Sequence, residues 1–142
     1  MILLLAEDNP PDALLVKEAI RLENLPVDVH VASDGEQAIE FMEAGQNDPA
    51  RPFPHFLLLD LNLPKVDGLE VLRRLRAQDR GKNLPVLVVT SSDSPTDRNE
   101  TARLGASFFR KPYSYDEYMR IGAVVRRFLI DNHLLQDSGP PR

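Results

Sequence analysis

Three acids, a hydroxyl and an amine stand where apolar runs of this sequence stop. Glu7 and Asp8 follow residues 2–6, Asp60 follows residues 56–59, Thr90 follows residues 86–89, and Lys111 comes shortly after Phe108-Phe109. If those ends share one edge of a sheet, the three carboxylates repel one another unless a cation joins them. Hard carboxylate oxygens together with loop carbonyls suit Mg²⁺, which keeps several waters and accepts phosphate oxygens. A Thr90 hydroxyl and a Lys111 ammonium can bind the remaining oxygens of a phosphoryl group on Asp60, which is the equipment of phosphoryl transfer to an oxygen nucleophile. Singly, each residue has a plainer explanation: a turn carboxylate, a strand-end hydroxyl, an exposed lysine lying over apolar surface. Five of them at the ends of four apolar runs outweigh those explanations.

The elements that position them follow from periodicity. Residues 2–6, 56–59 and 86–89 are continuous apolar runs, the pattern of strands buried on both faces. Val27, Val29 and Val31 alternate with Asp28 and His30, which predicts a strand with one wetter face near a sheet edge and a half-exposed His30. Phe108 and Phe109 mark a short last strand. Between them lie helical stretches. One starts at Asn9-Pro10-Pro11-Asp12 with Leu15, Ala19 and Leu22 on one side, and one starts at Ser33-Asp34-Gly35 with Ala38, Phe41 and Met42. A third carries Val71, Leu72 and Leu75. A fourth, over residues 95–104, is anchored thinly by Ala102 and Leu104 and is expected to dock least firmly. The last, over residues 114–132, shows Tyr118, Ile121, Val125 and Phe128 at helical spacing. Residues 44–55, with three of the 12 prolines, read as a loop. Strict alternation of strand and helix predicts right-handed crossovers and an α/β fold, a doubly wound five-stranded parallel sheet in the order 2-1-3-4-5. In such sheets ligands bind beyond the carboxyl ends of the strands, where Asp60 stands.

A chain of 142 residues is the size of one domain, here residues 1–132 followed by a tail, 133–142, expected to be disordered. There is no cysteine, which excludes disulfides and thiolate metal sites, and His30, His55 and His133 are too scattered for a zinc site. The apolar start at residues 1–6 lacks a basic flank and runs into Glu7 and Asp8 far short of a signal or membrane span, so a cytoplasmic protein is expected. The net charge of -5 divides unevenly: residues 1–60 carry 12 acidic against 3 basic groups, while the rest carries 10 against 14. An acidic half is a poor partner for nucleic acid.

Along nearly its whole length, from LLLAEDNPPD through LLLDLNLPKVDGLEVL and LPVLVVTSS to FFRKP, the chain resembles a bacterial two-component response regulator receiver domain. The resemblance implies a flavodoxin-like receiver fold and a phosphorylatable signalling protein rather than an enzyme with a turned-over substrate. It makes Asp60 the phosphoacceptor. It assigns Mg²⁺ to Asp8, Asp60 and the backbone carbonyl of Asn62, with Glu7 acting mainly through water. Thr90 becomes the switch hydroxyl, Phe108 the switch aromatic, and Lys111 the phosphate-binding lysine before a cis Pro112. Asn62 and Ser92 flank the site and are expected to govern water's access to the phosphoryl group. Two departures stand out: Glu7 where many receivers have Asp, and a connection from Gly105 to Lys111 one residue shorter than the family pattern.

More narrowly, the EDNPPD opening, the long loop before the third strand, DLNLPKVDG and the absence of an output domain look like small regulators paired with phytochrome-type sensor kinases. The implied partner is a sensor histidine kinase of the bacteriophytochrome kind. The implied output is protein contact, by homodimerisation or by docking a downstream protein through the fourth helix, fifth strand and fifth helix. Two rivals carry less. A haloacid-dehalogenase-like phosphatase wants an Asp two positions after its nucleophile, and Asn62 is there. A contact-only module that has abandoned phosphorylation has no need of the five site residues. A P-loop nucleotide protein is excluded by the absence of a G-x-x-x-x-G-K-[ST] run.

Overall fold

The computed structural model describes residues 1–137. In chain order it runs β1 (Ile2–Ala6), α1 (Pro10–Leu22), β2 (Asp28–Ala32), α2 (Gly35–Asn47), β3 (Phe56–Leu59), α3 (Gly68–Arg76), β4 (Val86–Thr90), α4 (Pro95–Arg103), β5 (Ser107–Arg110), α5 (Tyr115–Met119) and α6 (Ile121–Asp131). All five strands pair in parallel in the order β2-β1-β3-β4-β5. The expected doubly wound α/β sheet is thus the observed one.

The continuous apolar runs are explained by the pleat, which sends alternate side chains to opposite faces. Leu3, Leu5, Phe56, Leu58, Leu87 and Val89 meet α1, α5 and α6 on one face. Leu4, Ala6, Leu57, Leu59, Val86 and Val88 meet α2 and α3 on the other. A strand that serves both cores has no position for a polar side chain until it ends, so chemistry is displaced to the ends. The two alternating or short strands, β2 and β5, lie at the sheet edges, where one face is wetter.

Several local expectations change. The helix expected to stop before residue 44 continues to Asn47, its last turn packed so closely on the following loop that a Cβ on Gly45 would lie 2.4 Å from the Pro52 carbonyl oxygen. Leu22 is exposed, and α1 buries Ala13, Val16, Ala19 and Ile20 instead, a face turned relative to the Leu15–Ala19–Leu22 stripe. On α4 the buried residue is Thr101, while Ala102 is exposed, because the inward face follows Asp97, Thr101 and Leu104. The last helical stretch divides at Arg120 into α5 and α6. There the backbone tightens, with the Arg120 N–H donating to the Glu117 carbonyl at 3.1 Å, before Gly122 brings α6 onto α1. The bond before Pro112, expected cis, is trans, the lower-energy form for an X–Pro bond. In the expected tail, Leu134 and Leu135 fold back against the α1-side core through N–H bonds to the Leu129 carbonyl at 2.8 and 3.3 Å. Residues 138–142 lie outside the described residues. No helix among the described residues is long and apolar enough to cross a membrane.

One glycine ties the scaffold to the site. At Gly68, the first residue of α3, a Cβ would lie 2.3 Å from the Asp60 carbonyl oxygen and 2.6 Å from the Leu61 Cα. The Gly68 N–H closes the turn by donating to the Leu61 carbonyl at 2.9 Å. Substitution Gly68→Ala is therefore expected to push α3 off the strand that carries Asp60 and to cost about 1–3 kcal/mol. Urea unfolding checks this, and a variant as stable as the wild type would show that the turn relaxes freely.

Candidate functional site

The ladder continues one residue beyond the strands, and that residue is each time a candidate for chemistry. The Glu7 N–H donates to the Ala32 carbonyl at 3.0 Å, the Asp60 N–H to the Ala6 carbonyl at 3.0 Å, and the Lys111 N–H to the Thr90 carbonyl at 2.8 Å. Main chains so fixed carry the side chains to one edge. Glu7 and Asp60 are buried, and Asp8 is exposed. Glu7, Asp8 and Asp60 each offer one carboxylate oxygen, and the three oxygens lie within 4.8 Å of one another. This is an all-oxygen donor set with an open side, and it fits a hard divalent cation.

Lys111 spans the cluster. Its Nζ donates to Glu7 Oε1 at 2.5 Å, Asp60 Oδ2 at 2.8 Å and Asp12 Oδ2 at 3.0 Å. The other Asp60 oxygen, Oδ1, accepts the Asn62 backbone N–H at 3.0 Å. In the sequence Asp12 reads only as part of the start of α1. The signal that could have found it is its place in the first helical turn after β1, four residues beyond Asp8, on the same sheet edge.

Thr90 is fully buried at the end of β4, and its hydroxyl accepts from the Ser92 N–H at 3.3 Å and the Asn62 side-chain amide at 3.5 Å. Ser92 is turned the other way: its hydroxyl donates to Asp97 Oδ2 at 2.6 Å and accepts the Ser94 N–H at 3.3 Å, holding the first turn of α4. Phe108 pairs with Val88 in the sheet and packs in the α2/α3-side core, with the Arg98 guanidinium 5.0 Å above its ring. Glu7, Asp8, Asp12, Asp60 and Lys111 are thus gathered at one point. Thr90 and Asn62 adjoin them, Ser92 bridges to α4, and Phe108 lies within the sheet two residues before the Thr90 level.

Charge is unevenly shared in this cluster. Burial pushes Glu7 up to about 7, even though the Lys111 hydrogen bond and charge pull it down. At Asp60 burial also pushes upward, but the Lys111 hydrogen bond, the Asn62 N–H and the Lys111 charge together prevail and hold it below the usual carboxylate range. Lys111 is disfavoured by burial, yet its Asp60 and Glu7 partners raise it, so it stays an ammonium. Of the two buried acids, Asp60 is the one held in its ionised form.

The model of the response regulator receiver domain matches residues 3–121. This chain belongs to that family. Receivers are signalling proteins rather than classical enzymes, and their family-wide partner is a histidine kinase. This receiver is 32% identical over 128 residues to a probable methanogenesis regulatory protein, FilR2, of Methanothrix harundinacea, with 89% of this chain and 82% of that protein covered. It is 35% identical over 96 residues to the response regulator Rcp1 of Synechocystis, with 68% and 65% covered. It spans only 45% of the length of TrcR, a transcriptional regulatory protein of Mycobacterium tuberculosis. Among solved structures it is similar to the Mn²⁺-bound form of Rcp1, with a TM-score of 0.82, 27% identity and 99% of each chain covered. The phosphorylated cyanobacterial phytochrome response regulator RcpA superposes with a TM-score of 0.84 at 28% identity, covering 96% and 98%. The bacteriophytochrome response regulator AtBRR does so with 0.74 at 32% identity, covering 99% and 97%. The phosphatase rival loses its ground, since the receiver family is matched and the second position after Asp60 is an amide bonded to Thr90.

The raised Glu7 makes a pH dependence testable without any ligand. A folded-state value of about 7 against the ordinary 4.5 means that the folded receiver binds this proton more tightly than the unfolded chain. Its contribution to stability is complete below about 4.5 and is lost as pH rises to about 7. In chelator, the wild type is expected to lose stability relative to Glu7→Gln across that window, by about 3 kcal/mol at most. Parallel urea titrations of the two proteins at both ends of the window give the answer; curves that keep a constant separation would contradict a buried, protonated Glu7.

Proposed function

We propose that residues 1–132 form a receiver unit that accepts a phosphoryl group from a sensor histidine kinase onto Asp60 in a Mg²⁺-dependent reaction. The observation that carries it is the Asp60 carboxylate itself. It is ionised and buried, with Oδ1 tied to the Asn62 N–H and Oδ2 to Lys111, inside a three-carboxylate cluster. Glu7, Asp8, Asp60 and the Asn62 carbonyl would hold Mg²⁺, with Glu7 engaged mainly through water. When bound, the cation supplies neutralisation of the carboxylates and of the transferred group's oxygens.

Asp60 attacks the phosphorus of a phosphohistidine in line. An Asp60 oxygen–phosphorus bond forms as the nitrogen–phosphorus bond breaks, and its electron pair stays on the imidazole. Asp60 is prepared for this because it needs no deprotonation at neutral pH. Lys111 exchanges its carboxylate bonds for phosphoryl oxygens, and the Thr90 hydroxyl, which accepts from Asn62 and Ser92, donates its own hydrogen to one more. Release runs by attack of water on the phosphorus: the water oxygen–phosphorus bond forms as the Asp60 oxygen–phosphorus bond breaks, the carboxylate keeps the electron pair and inorganic phosphate departs, with the Asn62 side chain governing water's approach.

The acyl phosphate brings acceptor oxygens and roughly -1.5 to -2 of charge, by analogy with other phosphorylated side chains. Movement of Thr90 toward it draws on the Ser92 N–H and so on the turn capped by Ser94 and Asp97, while Phe108 shifts into the space released. The face of α4, β5 and α5 is the signalling face in this reading, and its occupant is a downstream protein or a second copy of the chain. Kinship to Rcp1, RcpA and AtBRR supports a bacteriophytochrome-type kinase as the phosphoryl donor. Such a kinase delivers its phosphoryl group in the cytoplasm, which is the location we assign.

Incubation with acetyl phosphate and Mg²⁺ is expected to give a single labile phosphoryl adduct by intact mass, absent in Asp60→Asn and in chelator. An adduct that survives Asp60→Asn would move the acceptor elsewhere. Under a beryllofluoride mimic, hydrogen exchange is expected to change between residues 90 and 112 and little in α1 and β1. Uniform protection over both regions would remove the switch.

A further inference from the structure

Lys111 uses all three of its donors on carboxylates, and the three acceptors are not equivalent. Glu7 and Asp60 also belong to the trio of oxygens able to hold a cation, while Asp12 does not. An ammonium and a divalent cation cannot share two carboxylates at bonding distance without competing for the same oxygens and repelling each other. When the cation binds, the ammonium must give ground.

The structure offers one direction for that movement. The Asp12 side chain is 27% exposed against 3% for Glu7 and 6% for Asp60, so it marks the outer side of the ammonium. It is anchored: it stands in the first turn of α1, where its N–H is held by the Asn9 side chain at 3.1 Å. Asp12 and Lys111 line a cavity of about 330 Å³ together with Ser91 and Tyr118. The Tyr118 hydroxyl is buried and has no hydrogen-bond partner among the described residues, so the same cavity wall holds a polar atom in need of one. Unsatisfied buried polar groups are rare enough to ask for a function.

We propose that Asp12 is a positioning residue for Lys111: it holds the ammonium on the outer side of the cluster while a divalent cation occupies Glu7, Asp8 and Asp60. This rests on the Mg²⁺ reading above and deepens it. Asp12 strengthens cation binding by removing the competitor, and it keeps the lysine within reach for the arriving phosphoryl oxygens. The plainer account is that Asp12 is one more negative charge near the cation. The two accounts differ in whether Lys111 is required.

The test is Mg²⁺ titration by calorimetry, at constant ionic strength, on the wild type, Asp12→Asn, Lys111→Met and the double variant, with folding verified by circular dichroism. Asp12→Asn is expected to weaken Mg²⁺ binding roughly fivefold or more with Lys111 present, and to have no effect in the Lys111→Met background. Asp12→Glu, which keeps the charge, is expected to recover most of the loss. An equal loss in both backgrounds, or none in either, overturns the proposal while leaving the cation site standing. Failure of the wild type to bind Mg²⁺ at all overturns the cation reading, and this inference with it.

Discussion

One ammonium among three carboxylates sets the terms for this molecule. Lys111 follows the edge strand β5, Asp60 the central β3 and Glu7 β1, and Asp12 stands in the first turn of α1, so their meeting ties the carboxyl edge together from β1 to β5. Without the lysine the cluster is a concentration of buried like charge that a folded protein tolerates badly. With it, the cluster is compensated but not satisfied, since three acidic side chains face one ammonium and burial makes Glu7 hold its proton up to about pH 7. In the proposed reading, the acids left over from that pairing are the ones a divalent metal would join.

Much of this was legible because the sheet leaves so little freedom. A strand buried on both faces, such as residues 56–59, has a readable beginning and end, and Asp60 could be placed from the run alone. The same holds for Glu7, Thr90 and Lys111 and for the strand order, which follows from alternation of elements and the one wetter strand at β2. Helix faces were less legible. Leu22 and Ala102 look like anchors, but several neighbouring residues are apolar or small, and a phase error of one position turns the stripe away from the core. The tightening at Arg120 has no proline or glycine at the break to announce it. It arises from how α6 must approach α1 at Gly122, a tertiary fact.

Two site residues illustrate a different limit. Asp12 was visible as a helix-initiating acid, a role it does play, and that sufficient local explanation hid its long-range bond to a residue 99 positions away. Ser92 was expected to flank the site and, with Asn62, to govern water's access to the phosphoryl group. Its hydroxyl instead finds Asp97, five residues on, because a serine preceding a helix start competes for the helix's unpaired groups. Spacing fixes where a backbone goes more securely than where a short polar side chain turns.

Arg76 carries a consequence of a mechanical kind. Its guanidinium bonds the carbonyls of Leu104 and Gly105 after α4 and of Gly81 and Leu84 before β4, and Arg73 of the same helix reaches Glu100 on α4. The far end of α4 is thereby riveted to α3, while the near end rests on the Ser92, Ser94 and Asp97 bonds beside the site. A nine-residue helix is about 13 Å long. Pivoting by about 10° about the riveted end would sweep its near end through about 2 Å. The helix is held like a lever with its fulcrum at Arg76, so under the proposed switch a displacement of hydrogen-bond size at Thr90 would become a tilt of the whole outward surface.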